Sequence, residues 1–227
     1  MVTPKGRATR DRIVAAAATL MSTRGVAGTS TEDVQVAAGV SASQIYHYFA
    51  DKRSLTRAVI EYQTDTIVGT QETLLTRLDD LDALRAWADF IVAFQRKGGY
   101  RGGCPLGTLA SELAECDTDA REDLAAGYRR WQQAIRTGLN AMADRGEFLP
   151  GTDIDRLATA LLTALQGGLL MGKTLRDGEP LETALSIMID HIGSFTTQRT
   201  QRSSHEPAPR TRVPALRAAQ QKPSSEC

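Results

Sequence analysis

Ser43, Gln44, Tyr46 and His47 fall within a five-residue stretch that contains no acid. A carboxamide and a small hydroxyl can read base edges, while a phenol and an imidazole can donate to phosphate oxygens. Lys52 adds a cation where a further helical pattern begins, and free amides there also favour an anion. Thr29 and Ser41 bring two more hydroxyls to the same region. These residue types suit recognition of a DNA duplex rather than bond breaking, and no catalytic residue is assigned.

Two short helical patterns joined by a glycine turn must position this set. Val34 and Ala37 or Ala38 recur at helical spacing, Gly39 can take the left-handed conformation that ends a helix, and Val40 is an apolar plug behind it. Ser41 and Gln44 form the S-x-x-Q version of a capping box, which starts the second helix. Ile45 and Phe49 lie four apart and face inward, leaving Ala42, Ser43, Gln44, Tyr46 and His47 outward. A solvated helix on an ordinary bundle accounts for the polar residues alone. The cap, the glycine turn and the run Tyr46-His47-Tyr48-Phe49 together favour a helix that enters the major groove.

At these residues the chain resembles the TetR family of ligand-responsive transcriptional regulators. The family pattern is met by Thr29-Ser30, Ala38-Gly39-Val40-Ser41, the aromatic run ending at Phe49, Asp51-Lys52 and Leu55. Gln44-Ile45 departs from it, since many relatives carry Thr-Leu or Ser-Leu there, so the operator sequence cannot be carried over. The motif covers about the first 60 residues. The resemblance implies an all-α protein, with an N-terminal three-helix helix-turn-helix domain and a C-terminal helical domain for ligand binding and dimerisation.

The net charge of the 227-residue chain is zero, which argues against a general nucleic-acid binder until the charge is divided by segment. Residues 1–60 hold eight Lys/Arg against four Asp/Glu, residues 61–197 thirteen against twenty-one, and residues 198–227 six against two. The basic excess coincides with the helix-turn-helix, as phosphate neutralisation requires. Three cysteines, Cys104, Cys116 and Cys227, imply no disulfide framework and fit a reducing cytoplasm. Lys5, Arg7, Arg10 and Arg12 ahead of the apolar stretch 13–21 mimic a secretory signal. Ile13, Ala17, Leu20 and Met21 instead form one face of an amphipathic helix that packs under the recognition helix, with no membrane partner.

Helical periodicity predicts helices near 7–24, 31–38, 42–48, 52–78, 81–97, 105–115, 118–145, 153–175 and 180–196, and no strand. Domains are expected at 1–52 for DNA binding and 53–197 for effector binding and dimerisation, with a disordered Ser-, Arg- and Pro-rich tail over 198–227.

Residues 167–174, Gly-Gly-Leu-Leu-Met-Gly-Lys-Thr, match the phosphate-loop pattern G-x-x-x-x-G-K-[ST], so a nucleotide-binding enzyme is an alternative. The motif needs a strand before it, and the preceding residues 157–165 have helical spacing. Ala160, Ala164, Gly168 and Gly172 recur every four residues and make a smooth ridge for a close helix. The family resemblance places a four-helix dimer interface on the last two long helices. Ala160, Ala164, Gly168, Gly172, Leu185, Met188 and Ile192 are therefore expected at a homodimer contact.

Gly103-Cys104-Pro105-Leu106-Gly107, continued by Ser111-Glu112-Leu113, looks like the multidrug-responsive (LmrA/QacR-like) subgroup, in which this helix borders the ligand cavity. Near a helix start Cys104 could have a lowered thiol pKa and act as a nucleophile or redox sensor, although a free cysteine is also a small buried hydrophobe. Trp87, Phe90 and Phe94 line one helix face, and Trp131 and Ile135 another. With Cys104, Leu109 and the polar Tyr128 and Gln166, they are the expected effector pocket for a neutral or aromatic small molecule. His47, His191 and His205 are too far apart to suggest a metal, and no cofactor is expected. The sequence thus points to a homodimeric regulator, most readily a repressor released from a palindromic operator by a small lipophilic effector. A helical ligand-binding dimer without DNA stays open beside the nucleotide-binding alternative.

Overall fold

Every regular element in the computed structural model, which describes residues 4–197, is a helix. In chain order these are α1 (Pro4–Arg24), α2 (Thr31–Ala38), α3 (Ala42–Tyr48), α4 (Lys52–Thr70), α5 (Glu72–Leu75), α6 (Leu81–Lys97), α7 (Pro105–Leu113), α8 (Thr118–Asp144), α9 (Ile154–Leu175) and α10 (Glu179–Ser194). One isolated antiparallel bridge joins Phe148 to Thr196. The expected tail over 198–227 lies outside the described residues.

Local chemistry starts and stops the N-terminal helices. Ser30 and Asp33 form one capping box, Ser41 and Gln44 a second, and Asp51 and Ser54 a third. Each satisfies amides that the first helical turn leaves without partners. Gly39 ends α2 at φ 62°, and the amide of Val40 donates back to the Gln35 carbonyl at 3.2 Å. Ile13, Ala17 and Met21 of α1 then pack with Val34, Ile45, Phe49, Leu55 and Val59. The apolar stretch that mimics a signal sequence is therefore a core helix. Its basic neighbour Arg10 lies over the Phe49 ring at 5.5 Å.

The helix expected over 52–78 breaks at Gln71. This side chain is buried, its Nε2 donates to the Ile67 carbonyl at 3.0 Å, and its Oε1 accepts the Trp87 indole N–H at 2.8 Å. The Gln71 amide also donates to Val68, three residues back, which tightens the last turn before α5 begins.

The small-residue ridge does bring a helix close, but that helix belongs to the same chain. A Cβ on Gly168 would come within 2.8 Å of Leu181 Cα in α10, and one on Gly172 within 3.0 Å of the Asp177 carbonyl oxygen. Leu185 and Ile192 are buried inside the protomer. Gly168 faces α10, Gly172 faces the turn before it, and all four residues are buried within one protomer, a correction to the expected dimer contact.

Candidate nucleic-acid interface and ligand cavity

On α3 the structure turns Ile45 inward and leaves Ser41, Ser43, Gln44, Tyr46 and His47 exposed on one side of the molecule. The His47 ring packs edge-on against Tyr48 with centroids 4.8 Å apart. Lys52 is half-buried in the first turn of α4.

Four members of the expected set have other partners, for besides Thr29 and Gln44 the Ser41 hydroxyl accepts the Gln44 amide at 3.3 Å and shares a hydrogen bond with the Ser43 hydroxyl at 2.9 Å. Thr29 is buried, and its hydroxyl donates its one proton to the Gly25 carbonyl at 2.8 Å, so it shapes the turn after α1 instead of donating to a phosphate. The Gln44 Oε1 accepts the Ser41 amide at 2.9 Å. Its Nε2 is left for a base, so a two-point contact to adenine would require the cap to open. Arg53 and Arg57, counted among the basic residues of this segment, face the acidic half of the chain. Arg53 makes a two-point contact with Asp117 at 2.9 Å, and Arg57 holds Asp123 at 2.6 and 3.1 Å. The Arg53 guanidinium, helped by the Ala120 amide, lowers the Asp117 carboxyl to about 2. A third tie runs from the Val26 amide to the Glu112 carboxylate at 2.7 Å.

A cavity of about 170 Å³ opens between α4, α6, α7, α8 and α9. Phe90, Phe94, Cys104 and Trp131 of the expected pocket line it, joined by Gln63, Thr66, Ile67, Thr70, Gln71 and Leu169, which sequence reasoning missed. Trp87, Leu109 and Ile135 are buried core residues that are not part of this wall. Tyr128 and Gln166 are likewise absent from it and converge near Gly107, where an added Cβ would lie 3.4 Å from Gln166 Oε1 and 3.6 Å from the Tyr128 hydroxyl. Burial pushes the thiol pKa of Cys104 up, opposite to the lowered value a reactive thiolate needs. Burial raises that of Tyr128 as well. Gln63 reaches out of the cavity, its Nε2 donating to Ser22 Oγ of α1 at 3.3 Å.

The phosphate-loop pattern is not a loop. Residues 167–174 lie inside the continuous helix α9, whose amides are spent on the helical ladder. The Lys173 stem covers Gly103, and its Nζ lies 3.4 Å from Thr108 Oγ1. This geometry overturns the nucleotide-binding alternative.

Residues 13–59 match the family model described as bacterial regulatory proteins, tetR family, and residues 81–188 match a tetracyclin repressor-like C-terminal domain. The chain is 27% identical over 192 residues to an HTH-type transcriptional regulator in the lacX 3′ region of Lactococcus lactis, covering 80% of this chain and 92% of that one. It is 25% identical over 176 residues to the HTH-type transcriptional repressor DhaR of Mycobacterium sp. strain GP1, covering 74% and 84%. The crystal structure of a TetR transcriptional regulator from Chloroflexus aurantiacus superposes with a TM-score of 0.73 at 29% identity, covering 86% of this chain and 98% of that one.

Proposed function

The chain belongs to the TetR family of helix-turn-helix transcriptional regulators, which are not enzymes, and from that premise we propose that it is a repressor released from a palindromic operator by a small lipophilic effector. The observation that carries the DNA reading is the acid-free outward face of α3, held in place by capping boxes at Ser30 and Ser41. Ser43 and the free Nε2 of Gln44 read bases, while Ser41, Tyr46, His47 and Lys52 hold phosphates. The name of DhaR supports repression as the output. No helix among the described residues is long and apolar enough to cross a membrane, and the protein works where its DNA is, in the cytoplasm.

Two copies must present their α3 helices to half-sites related by a two-fold axis. Leu170, Met171 and Leu175 of α9 and Ile187 of α10 are between 53% and 66% exposed, an apolar face that a second copy would cover, with Ala160, Ala164 and Met188 at its margin. The likeness of the Cys104-Pro105 segment to the multidrug-responsive subgroup supports a lipophilic effector in the cavity, whose lining carries no charged side chain. Residues 1–52 then form the reading domain and 53–197 the sensing domain.

Release follows if the effector prefers a conformer in which the two α3 helices no longer match the operator. Both routes from the cavity to the reading domain begin on helices that line it. On α4, Gln63 contacts Ser22, and α7 has Cys104 and Pro105 at the cavity and Glu112 on the Val26 amide. Fluorescence anisotropy against duplexes tiling the DNA upstream of its own gene, with nonspecific competitor, tests the function. Saturable, salt-sensitive binding to one palindromic tile is expected, whereas binding no tighter to any tile than to competitor would refute it.

A further inference from the structure

Two helices of the reading domain end on a glycine in the left-handed region, and the amide that follows each glycine has a different fate. After Gly39 the Val40 amide turns back to the Gln35 carbonyl of its own helix at 3.2 Å. α1 ends in the same way at Gly25, φ 80°, whose amide returns to the Met21 carbonyl at 3.0 Å. The next N–H, that of Val26, instead crosses to the Glu112 carboxylate of α7 at 2.7 Å. A helix ended by glycine commonly closes its last turn on its own carbonyls. The end of α1 is closed from the sensing half of the chain.

Glu112 fits closely into that turn. A Cβ on Gly25 would lie 2.9 and 3.1 Å from its two carboxylate oxygens, so a side chain there would displace it. Thr29 ties the same turn, its hydroxyl donating to the Gly25 carbonyl at 2.8 Å and its amide to the Val26 carbonyl at 3.3 Å. Ser30 follows as the cap of α2, so the turn sets how α2, and α3 after it, leave α1. At the other end of α7, Pro105 belongs to the cavity wall, and seven residues at ~1.5 Å each put Glu112 about 10 Å farther along. That span gives the Ser111-Glu112-Leu113 continuation of the Gly-Cys-Pro-Leu-Gly motif a task that the cavity alone does not.

We propose that Glu112 is a positioning residue for DNA reading, whose carboxylate closes the last turn of α1 and so fixes the setting in which α2 and α3 meet the operator. The assignment rests on the α3 reading above. Without the carboxylate the turn opens, and apparent affinity falls with the fraction of molecules still correctly set. Charge alone predicts the opposite sign, since removing an acid strengthens attraction to phosphates.

Glu112→Ala removes both charge and acceptor, whereas Glu112→Gln removes the charge and keeps an acceptor. In anisotropy titrations of the intact protein, Glu112→Ala should bind the operator tile about tenfold more weakly, the loss of one hydrogen bond to a charged group. Its binding to nonspecific duplex should be no weaker than that of the wild type. Glu112→Gln should hold operator affinity within about twofold of the wild type or better. Hydrogen exchange at the Val26 amide, followed by NMR without DNA, should quicken about tenfold in Glu112→Ala alone. Ile189→Val, buried in α10 against α9 and α6, serves as the control that lowers Tm and leaves both affinities unchanged.

Wild-type operator affinity in Glu112→Ala, an equal loss in Glu112→Gln, an equal loss on both duplexes, or unaltered exchange at Val26 would each overturn the assignment. A wild-type protein that prefers no tile, with exchange at Val26 still governed by Glu112, refutes the reading on α3 and not the closure of the turn.

Discussion

The face of α3 and the cavity between α4, α6, α7, α8 and α9 differ in where their information lies. On α3 the side chains proposed to read DNA and the caps that aim them lie within a dozen residues, and the outward side chains take no part in the core. Around the cavity, residues as distant in sequence as Gln63 and Leu169 share a wall that is also part of the packing. A DNA-reading face can therefore change its specificity at small cost in stability. Of the cavity wall, Trp131, Ile91 and Leu169 cannot change without disturbing the fold, whereas the exposed Phe94, Thr66 and Thr70 can.

The largest expected effect would test that separation directly. Trp87→Ala should destabilise the protein by about 3–5 kcal/mol in urea unfolding, because it leaves a large void and strands the Gln71 carbonyl oxygen. His47→Ala should shift stability by no more than about 0.5 kcal/mol while weakening DNA binding. If His47→Ala proves as destabilising as Trp87→Ala, the two regions are not separate in the way described.

Within the reading face a finer contrast is available. Gln44→Ala should cost about 1–3 kcal/mol mainly at one base position, together with about 1 kcal/mol of stability because the Ser41 cap is lost. Lys52→Ala should weaken all sequences alike and lower the salt slope by about one. A uniform loss for Gln44→Ala across operator variants would show that its role is the cap alone.

The smallest effect concerns the joint between the regions. Asp117 has its pKa lowered to about 2 by Arg53, so the pair favours the folded arrangement above the ordinary carboxylate value of 3.8 and loses that contribution as pH falls through about 2. Acid titration followed by tryptophan fluorescence should show this loss, and Asp117→Asn should remove that part of the curve. A curve unaltered by the substitution would mean the joint is held elsewhere, as by Glu112 on the Val26 amide.

The same contrast explains what the sequence made legible. The glycine turn, the Ser41 cap and the inward pair Ile45 and Phe49 are local, and each stands where spacing put it. Thr29 misled because a hydroxyl at a motif position does not reveal that the Gly25 carbonyl takes its proton. Gln71 was unreadable for a related reason. A glutamine in an amphipathic run looks solvated, and its partner Trp87 lies sixteen residues away on another helix. Gly168 and Gly172 announced a close helix but could not say whether it came from this chain or from a partner.

The break at Gln71 also sets a length. Nineteen residues of α4 at ~1.5 Å each make an arm of about 28 Å between the Trp87–Gln71 bond and the reading domain. A tilt of about 10° at that pivot sweeps Lys52 through about 5 Å, close to one helical pitch of ~5.4 Å. Had the helix run unbroken to residue 78, the pivot would lie farther back, and the same sweep would need a smaller angle at a point with no buried hydrogen bond to fix it. In the release proposed above, the indole and carboxamide would serve as the fulcrum, and a tilt of about 10° there would become a misfit of atomic size on the DNA.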